Sequence, residues 1–471
     1  MNEHGNPDFD VAIVGGGSGG YAAARTAAGA GLRTAVIEGG DEVGGLCILR
    51  GCMPTKALLY ASEVMHLATR APTWGIHAKA VAFDFAEVMA RKNQLIKGFA
   101  DERVRQLTEG SFQFVRALAR FADPHTLALS NGTTLRARNM IISTGSVVVA
   151  PPLASLREVG CLTSDEALAL ARPPRSLIVL GGGAVAAEFA QFFARFGVEV
   201  TVIQRSAHLL RNFDEDAAGE LEKVFRREGV KVLTGSKLLG ARRNGALKEV
   251  SFEHQGQTAR VEAEEILFAL GRVASIASLA LEKAGVATAR GAIVTDERMQ
   301  TSVPHIYAAG DCTGPHEIVH IAIQQGETAA HNIAHRGYPR RIDYRLLLRV
   351  VFTEPQLATI GLTENEAVAR AMPYRAASYR FNDHGKSLIM EAKDGFVKLL
   401  ADPMTGEIIG GSCVGPLGGE LIHEIVAAMA KRMTVRELAA MPHYHPTLAE
   451  IWAYPAEELA ARIPATQPTA G

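Results

Sequence analysis

The sequence predicts an α/β protein in which two parallel-sheet units precede a C-terminal α+β domain. Two observations lead to this fold class. The order strand, glycine-rich turn, helix, strand occurs twice, and after about residue 345 the pattern changes to alternating apolar strands followed by a helical stretch. At 471 residues the chain is also too long for one compact core, so we expect several domains.

The first unit starts with FDVAIV at residues 9–14, continues through GGGSGG and an alanine-rich helical stretch, and ends with RTAVIE at Glu38. The turn satisfies G-x-G-x-x-G, and its glycines are Gly15, Gly17 and Gly20. Glycines allow the backbone to approach a pyrophosphate closely, while the free N–H groups at the helix start face the phosphates. Because the acid Glu38 follows Gly15 by 23 residues, where it can bind a ribose, we expect this Rossmann-like unit to bind a dinucleotide.

Residues 176–204 repeat the order with SLIVL, GGGAVAAEFAQFFARFG and VEVTVIQ. The fingerprint here is G-x-G-x-x-A, formed by Gly181, Gly183 and Ala186. The offset that reaches Glu38 in the first unit reaches Gln204 here, and Arg205 follows. An acid would bind the 2′-hydroxyl of NAD and repel a 2′-phosphate, so the sequence predicts NADPH in preference to NADH, with Arg205 and Arg211 on the phosphate. The alternative is that both arginines are ordinary surface residues.

Composition narrows the classes of partner. The chain is 48% hydrophobic and 21% charged, with a formal net charge of −1, which gives no reason to expect nucleic acid or an anionic membrane. The N-terminus, MNEHGNPDFD, lacks a basic region followed by an apolar stretch, and no long apolar segment occurs later. We therefore expect neither export nor membrane spanning, and a cytoplasmic location.

The segment GGLCILRGCMPTKALL, residues 44–59, contains the most informative cysteines. Cys47 and Cys52 are close enough in sequence for their side chains to meet in a helical turn and form a readily reduced disulfide. A helix start would also favour the thiolate. Half of a metal site is the alternative, but no second pair completes four ligands, so no metal is expected. The remaining cysteines are expected to be small buried residues: Cys161, Cys312 and Cys413.

With these motifs, the sequence resembles the flavoprotein disulfide reductases of the pyridine nucleotide family, which include dihydrolipoamide dehydrogenase, glutathione reductase and mercuric reductase. The resemblance spans nearly the whole chain. Its further motifs are STGS at 143–146, the second glycine fingerprint with Glu188, TSVPHIYAAGD at 301–311, FTEPQLATIGLTE at 352–364 and HYHPTLAE at 443–450. It implies two Rossmann-like dinucleotide-binding domains, a C-terminal dimerisation domain, and FAD besides the nicotinamide cofactor.

The resemblance also implies the domain limits and a role for each matching residue in binding FAD. The FAD-binding domain would cover 1–150 and 273–344, the NAD(P)-binding domain 151–272, and the dimerisation domain 345–471, whose last dozen residues are expected to form a mobile tail. Two proline-rich junctions, Pro151–Pro152 and Pro173–Pro174, fit boundaries near the link between the two glycine units. FAD would be bound by Gly15, Gly17, Gly20, Glu38, Gly145 and Asp311.

The catalytic roles follow from the same resemblance. Cys52 would be the thiol next to the flavin and Cys47 the thiol that exchanges with substrate. Lys56 and Glu188 would form an ion pair beside the flavin. His445 would be a general acid/base held by Glu450 and contributed by the other subunit, which implies a homodimer with shared active sites.

Some positions depart from the pattern and leave the physiological substrate open. No cysteine follows Cys413, which disfavours mercury, and the residues after Pro54 match dihydrolipoamide dehydrogenases better than glutathione reductases. The segment ILR between the two cysteines and GRVAS at 271–275 differ from the usual pattern. We expect the protein to be a disulfide or dithiol oxidoreductase that acts on a small thiol. The alternative is a flavin reductase or transhydrogenase that reduces quinones, metal ions or a second nucleotide without thiol exchange.

Overall fold

The computed structural model describes residues 7–464, and these form two compact units. The first unit contains the residues up to Leu58, Ala86–Ala150 and Gly271–Ile342. The second contains Leu59–Phe85, Pro151–Leu270 and the residues from Asp343 onward.

The first unit is built on a seven-stranded sheet whose central strand, Phe9–Val14, is buried along most of its length. The strand pairs in parallel with Thr34–Glu38 on one side and Thr134–Ile142 on the other. Its buried part is covered on both faces, which is why residues 11–14, VAIV, read as a continuous apolar run rather than an alternating one. The remaining strands of this sheet are Gln113–Arg116, Ala119–Asp123, Thr126–Leu129 and Ile306–Ala308.

Shorter elements complete the first unit. Two small sheets pair Ser146–Val148 with Arg272–Ala274, and Thr288–Ala289 with Ala292–Ile293. The α-helices are Ser18–Gly29, Gly45–Leu49, Val319–Ala334, the start of Cys52–Arg70 and most of Phe85–Thr108, and the 3-10 helices are Leu281–Ala284 and Asp311–Thr313.

The second unit contains a parallel four-stranded sheet and two antiparallel sheets. The parallel sheet has the order Lys231–Leu233, Glu199–Ile203, Ser176–Leu180 and Glu265–Phe268. A three-stranded sheet follows the order Lys237–Asn244, Leu247–His254 and Gln257–Ala263. The five-stranded sheet of the C-terminal part has the order Leu348–Val351, Gln356–Gly361, Ile408–Gly415, Phe396–Ala401 and Arg375–Arg380.

Helices cover these sheets, and the C-terminal ones enclose an apolar core around Trp452, whose side chain is fully buried. The α-helices are Ala154–Val159, Ser164–Ala167, Ala184–Arg195, Glu215–Arg227, Glu364–Ala369, Gly385–Ile389, Gly418–Ala430, Val435–Ala439, Ala453–Arg462 and the remainder of Cys52–Arg70. The 3-10 helices are Ala71–Trp74, Tyr344–Leu346, Phe381–Asp383 and Ala449–Trp452.

The predicted fold class is confirmed: both β-α-β units form where the glycine motifs indicated, and an α+β part follows. The expected mobile tail starts too early, because Arg462 is helical and Ile463 packs into the C-terminal core; residues 465–471 lie outside the described part. Within residues 7–464, no helix combines the length and apolar character needed to cross a membrane.

Candidate active site

The first glycine loop has the close backbone contacts that its motif predicts. Gly15 has φ +110°, and a Cβ there would lie 2.3 Å from the carbonyl oxygen of Ser143. At Gly20 a Cβ would lie 1.9 Å from the Gly15 carbonyl oxygen, so the helix packs directly on the turn. Gly17 caps the helix without a side-chain hydrogen bond, which leaves the first N–H groups of Ser18–Gly29 available for phosphate.

Glu38 lies at the same loop. Its two carboxylate oxygens accept hydrogen bonds from the N–H groups of Gly16 and Gly40, both at 2.8 Å. These bonds fix the carboxylate at the end of its strand, beside the turn. The position suits an acid that binds the ribose of the cofactor.

A chain of hydrogen bonds in the first unit passes through Ser146, the last residue of the STGS segment. Asp311 Oδ2 accepts from Ser146 Oγ at 2.7 Å, and Ser146 Oγ accepts from Arg272 Nε at 2.8 Å. Gly145, at φ +68°, faces open space, and Thr144 Oγ1 is buried without a hydrogen-bond partner among the described residues. Buried polar groups normally have partners, so the segment fits a polar ligand, and the residues of this unit fit FAD.

Substituting Gly20 with alanine should remove FAD from the purified protein, because the added methyl group collides with the Gly15 carbonyl and moves the loop away from the helix. The collision should lower stability by about 1–3 kcal/mol. The absorbance ratio of flavin to protein and the unfolding temperature measure both effects. Gly29→Ala is the matched control, since a Cβ at this end of the same helix meets nothing within 4 Å; equal FAD content in both variants would contradict the assignment.

The cysteine pair lies on two helices rather than on one helical turn as the spacing suggested. Cys47 belongs to Gly45–Leu49, and Cys52 is the first residue of the helix that ends at Arg70. Gly51 makes the break possible, because a Cβ there would lie 3.0 Å from the Leu46 carbonyl oxygen. The side chains of the two cysteines are nevertheless hydrogen-bonded to each other. The predicted proximity of the two sulfurs therefore holds, although the local geometry differs.

The acidity of Cys47 also differs from expectation. Its hydrogen bond to Cys52 and its burial raise the pKa of the Cys47 thiol, and the positive charge of Lys56 only partly opposes this. The helix dipole was expected to favour thiolate. Two adjacent thiols titrate as a pair, however, and the proton that remains after the first has left is shared between the two sulfurs. The second proton of the pair is therefore the harder one to remove.

The second glycine loop repeats the geometry of the first. Gly181 has φ +114°, and a Cβ there would lie 2.4 Å from the Ala269 carbonyl oxygen. Gly183 caps Ala184–Arg195 without a side-chain hydrogen bond, and Ala186 is fully buried under the turn. This helix start therefore also presents free N–H groups.

At the end of the next strand, Gln204 turns its side chain back, so that Oε1 accepts from the Arg205 N–H at 2.9 Å. Arg205 and Arg211 are exposed, and both remain available for an anion. Nearby, the buried carboxylate of Glu222 accepts from the Leu209 N–H at 2.9 Å. Glu222 was not predicted from the sequence, because no motif singles it out.

The predicted partners Lys56 and Glu188 belong to different units, and their pairing stays a prediction. Glu188 is buried in Ala184–Arg195, and its Oε1 accepts from the Phe352 N–H at 3.0 Å. The carboxylate is thus held by the segment that opens the FTEP motif.

The histidine–glutamate pair has the predicted geometry. His445 Nδ1 lies 2.9 Å from Glu450 Oε2; the His445 side chain is 77% exposed, while Glu450 is buried. An exposed imidazole oriented by a buried carboxylate can exchange protons with a molecule outside its own chain. The neighbouring His443 makes a separate pair with Glu424, at 2.7 Å.

The three other cysteines are not part of these sites. Cys312 and Cys413 are fully buried, as expected, whereas Cys161 is half-buried and donates to the Leu156 carbonyl. Sequence reasoning missed Ser146, Arg272 and His384, of which the first two lie in segments whose motifs were noticed.

Two family models match the chain. Residues 9–326 match the pyridine nucleotide-disulphide oxidoreductase model, and 347–456 match the dimerisation domain of the same family. Among curated relatives, dihydrolipoyl dehydrogenase of Bacillus subtilis (strain 168) is 34% identical over 457 residues, covering 94% of this chain and 96% of the relative. Mercuric reductase of Bacillus cereus is 33% identical over 452 residues, covering 96% and 71%.

Solved structures give the same result. LpdA from Mycobacterium tuberculosis has a TM-score of 0.85 and 29% identity, covering 95% of this chain and 99% of that one. The HOCl-induced flavoprotein disulfide reductase RclA from Escherichia coli, solved as a Cu(II) complex, has a TM-score of 0.85 and 26% identity, covering 96% and 99%. FAD and a nicotinamide dinucleotide are the cofactors expected of such proteins, and the matched dimerisation domain suggests a homodimer. The chain therefore belongs to the pyridine nucleotide-disulphide oxidoreductase family, as a dihydrolipoyl dehydrogenase-like flavoprotein.

Proposed function

We propose that the protein passes electrons between a nicotinamide cofactor and a small disulfide or dithiol through FAD and the Cys47–Cys52 pair. The observation that carries this proposal is the hydrogen-bonded cysteine pair in the unit that contains the first glycine loop. When bound, FAD links the two-electron chemistry of the nicotinamide to that of the disulfide.

The cysteines and His445 then complete the reaction. The Cys47 thiolate attacks the substrate disulfide, forming a mixed disulfide and releasing one thiol, which takes its proton from His445. Cys52 then loses its proton and attacks the Cys47 sulfur, which closes the protein disulfide. The second sulfur leaves as a thiolate and takes up that proton, so two thiols are released in all. In reverse, His445 accepts the proton of a bound dithiol. His445 would come from the partner subunit of a homodimer, and its exposure in one chain fits this role.

A dihydrolipoamide-like dithiol is the substrate class we favour, because dihydrolipoyl dehydrogenases are among the relatives and the residues after Cys52 resemble theirs. Replacing Cys47 with serine tests the proposal: thiol exchange should stop, whereas electron transfer to a non-thiol acceptor should continue. The competing function, a flavin reductase for quinones or metal ions, requires disulfide turnover to be absent in the wild type as well. A cytoplasmic location remains part of the proposal.

We further propose NADPH as the preferred cofactor. Gln204 supplies no carboxylate at the ribose position, and two exposed arginines lie nearby in sequence. A neutral amide beside guanidinium groups suits a 2′-phosphate, which an acid would repel.

Arg205→Ala combined with Arg211→Ala should raise KM for NADPH by about tenfold or more, because each lost charge-assisted hydrogen bond is worth about 1.5–3 kcal/mol before solvent screening. KM for NADH should change by less than about twofold, since NADH has no 2′-phosphate. Steady-state kinetics with both cofactors measure this change. Arg260→Ala, an exposed arginine in the three-stranded sheet, is the control; equal changes with both cofactors, or a wild type that prefers NADH, would contradict NADPH preference.

A further inference from the structure

A second histidine faces the carboxylate of the His445–Glu450 pair. His384 Nε2 lies 3.3 Å from Glu450 Oε1, whereas His445 Nδ1 lies 2.9 Å from Oε2. Each oxygen of the buried carboxylate thus faces a different imidazole. The two histidines differ in exposure: the His384 side chain is fully buried, and that of His445 is 77% exposed.

His384 is held from several sides. It lies between the 3-10 helix Phe381–Asp383 and the helix Gly385–Ile389, and its Nδ1 is 2.8 Å from Ser387 Oγ. The rings of Phe381 and Tyr454 stand edge-on to it, with centroids 6.4 and 6.3 Å away. A ring fixed in this way presents Nε2 in one direction only.

Hydrogen-bond chemistry selects one tautomer. His384 Nε2 is buried, and among the described residues it makes no hydrogen bond that meets standard geometric criteria. Since buried polar groups normally have partners, Glu450 Oε1, 3.3 Å away, is the acceptor that we assign to it. Nδ1 can then accept from the Ser387 hydroxyl, which leaves the proton on Nε2. Burial lowers the pKa of His384, although the charge of Glu450 opposes this, and a neutral ring needs no counter-ion beyond the hydrogen bond.

We propose that His384 is a positioning residue of the active site, which donates from Nε2 to Glu450 Oε1 and so orients Oε2 toward His445. The inference rests on the proposed thiol chemistry, because it assigns His384 no contact with substrate. Supporting residues of this kind orient a catalytic group and strengthen its hydrogen bonding. The titratable groups around His384 are Glu450, His445, Tyr454 and its neighbour in sequence Asp383. Asp383 accepts from the Tyr379 hydroxyl at 3.0 Å.

Two substitutions of His384 distinguish a role in positioning Glu450 from a role in packing alone. His384→Leu fills the apolar surroundings but removes the donor, whereas His384→Gln retains a neutral N–H donor near the place of Nε2. We expect kcat for disulfide turnover to fall about tenfold in His384→Leu with little change in KM, and to recover to within about threefold of wild type in His384→Gln. Electron transfer from NADPH to ferricyanide should stay within about twofold of wild type in both, since it needs no proton from His445.

Two further measurements make the test specific. In a Glu450→Gln background, His384→Leu should cost no more than about twofold, because its effect passes through the carboxylate. In His384→Leu alone, the acidic limb of the pH–rate profile should move to higher pH. A hydrogen-bond donor stabilises the charged form of a carboxylate, and this variant has lost that donor. Ser387→Ala, which leaves His384 in place, should lower turnover about threefold, because the Ser387 hydroxyl no longer keeps the imidazole proton on Nε2.

The control is His254→Leu, which removes another histidine that bonds a serine, Ser236, at 2.9 Å. It should leave turnover unchanged. Wild-type turnover in His384→Leu, or equal losses in the Leu and Gln variants, would overturn the positioning role while leaving the proposed function intact. Absence of disulfide turnover in the wild-type protein would instead remove the proposed function, and this inference with it.

Discussion

Replacing Cys47 with serine should reduce disulfide turnover by a factor on the order of 10³ or more, because a serine hydroxyl cannot form or accept a disulfide bond. The structure shows why disulfide turnover should stop in this variant. Cys47 is hydrogen-bonded to Cys52, and the pair provides the only adjacent thiols among the described residues. Flavin-dependent reduction of ferricyanide by NADPH should continue at a rate near that of wild type.

The control for this variant is Cys161→Ser, since Cys161 is half-buried like Cys47 but belongs to the second unit and not to the cysteine pair. Lipoamide and glutathione disulfide should be assayed in parallel, with FAD content measured for every variant. Disulfide reduction that survives in Cys47→Ser would contradict the account, because electrons would then reach the substrate disulfide without thiol exchange at Cys47.

Removing the base should have the next largest effect. His445→Gln should lower dithiol oxidation by about 10²–10⁴-fold, the usual contribution of a positioned general base. The direction follows from the substrate dithiol: its thiols are mostly protonated near neutral pH, and the thiolate that attacks the Cys47–Cys52 disulfide forms only when a base takes the proton. The loss should therefore shrink as the assay pH rises, because hydroxide increasingly replaces the imidazole.

His443→Gln provides the comparison, because His443 lies two residues before His445 and is also close to a carboxylate, that of Glu424 in the helix Gly418–Ala430, at 2.7 Å. It should cost less than about tenfold. The measurement is the pH dependence of dithiol oxidation for both variants beside wild type. A loss in His445→Gln that is independent of pH, or equal losses in the two variants, would show that His445 is not the base.

Local patterns predicted much of the molecule. The apolar run at 11–14 and the glycine turn after it specify a buried parallel strand and a tight helix start, and these depend on neighbouring residues alone. The pairing of His445 with Glu450 was equally accessible, because both lie within one short motif. The expectation of a mobile tail over the last dozen residues was wrong at its start, because Ile463 packs into the C-terminal core, whose residues are distant in sequence.

Other features depend on contacts that no spacing reveals. His384 approaches Glu450 across 66 residues of sequence (450 − 384), and no motif joins them. The two cysteines are on separate helices, with Gly51 close to the Leu46 carbonyl oxygen between them, and a helical spacing rule does not anticipate this break. The raised pKa of Cys47 likewise depends on burial and a neighbour, whereas the sequence suggested only the helix dipole.

The central claim is that Cys47 and Cys52 form a redox centre that exchanges electrons with FAD, and anaerobic reductive titration tests it most directly. The wild-type protein should take up about four electrons per FAD, two in the cysteine pair and two in the flavin, and Cys47→Ser about two. Lipoamide added to the reduced wild type should then reoxidise it. Uptake of only two electrons by wild type and variant alike would contradict the account.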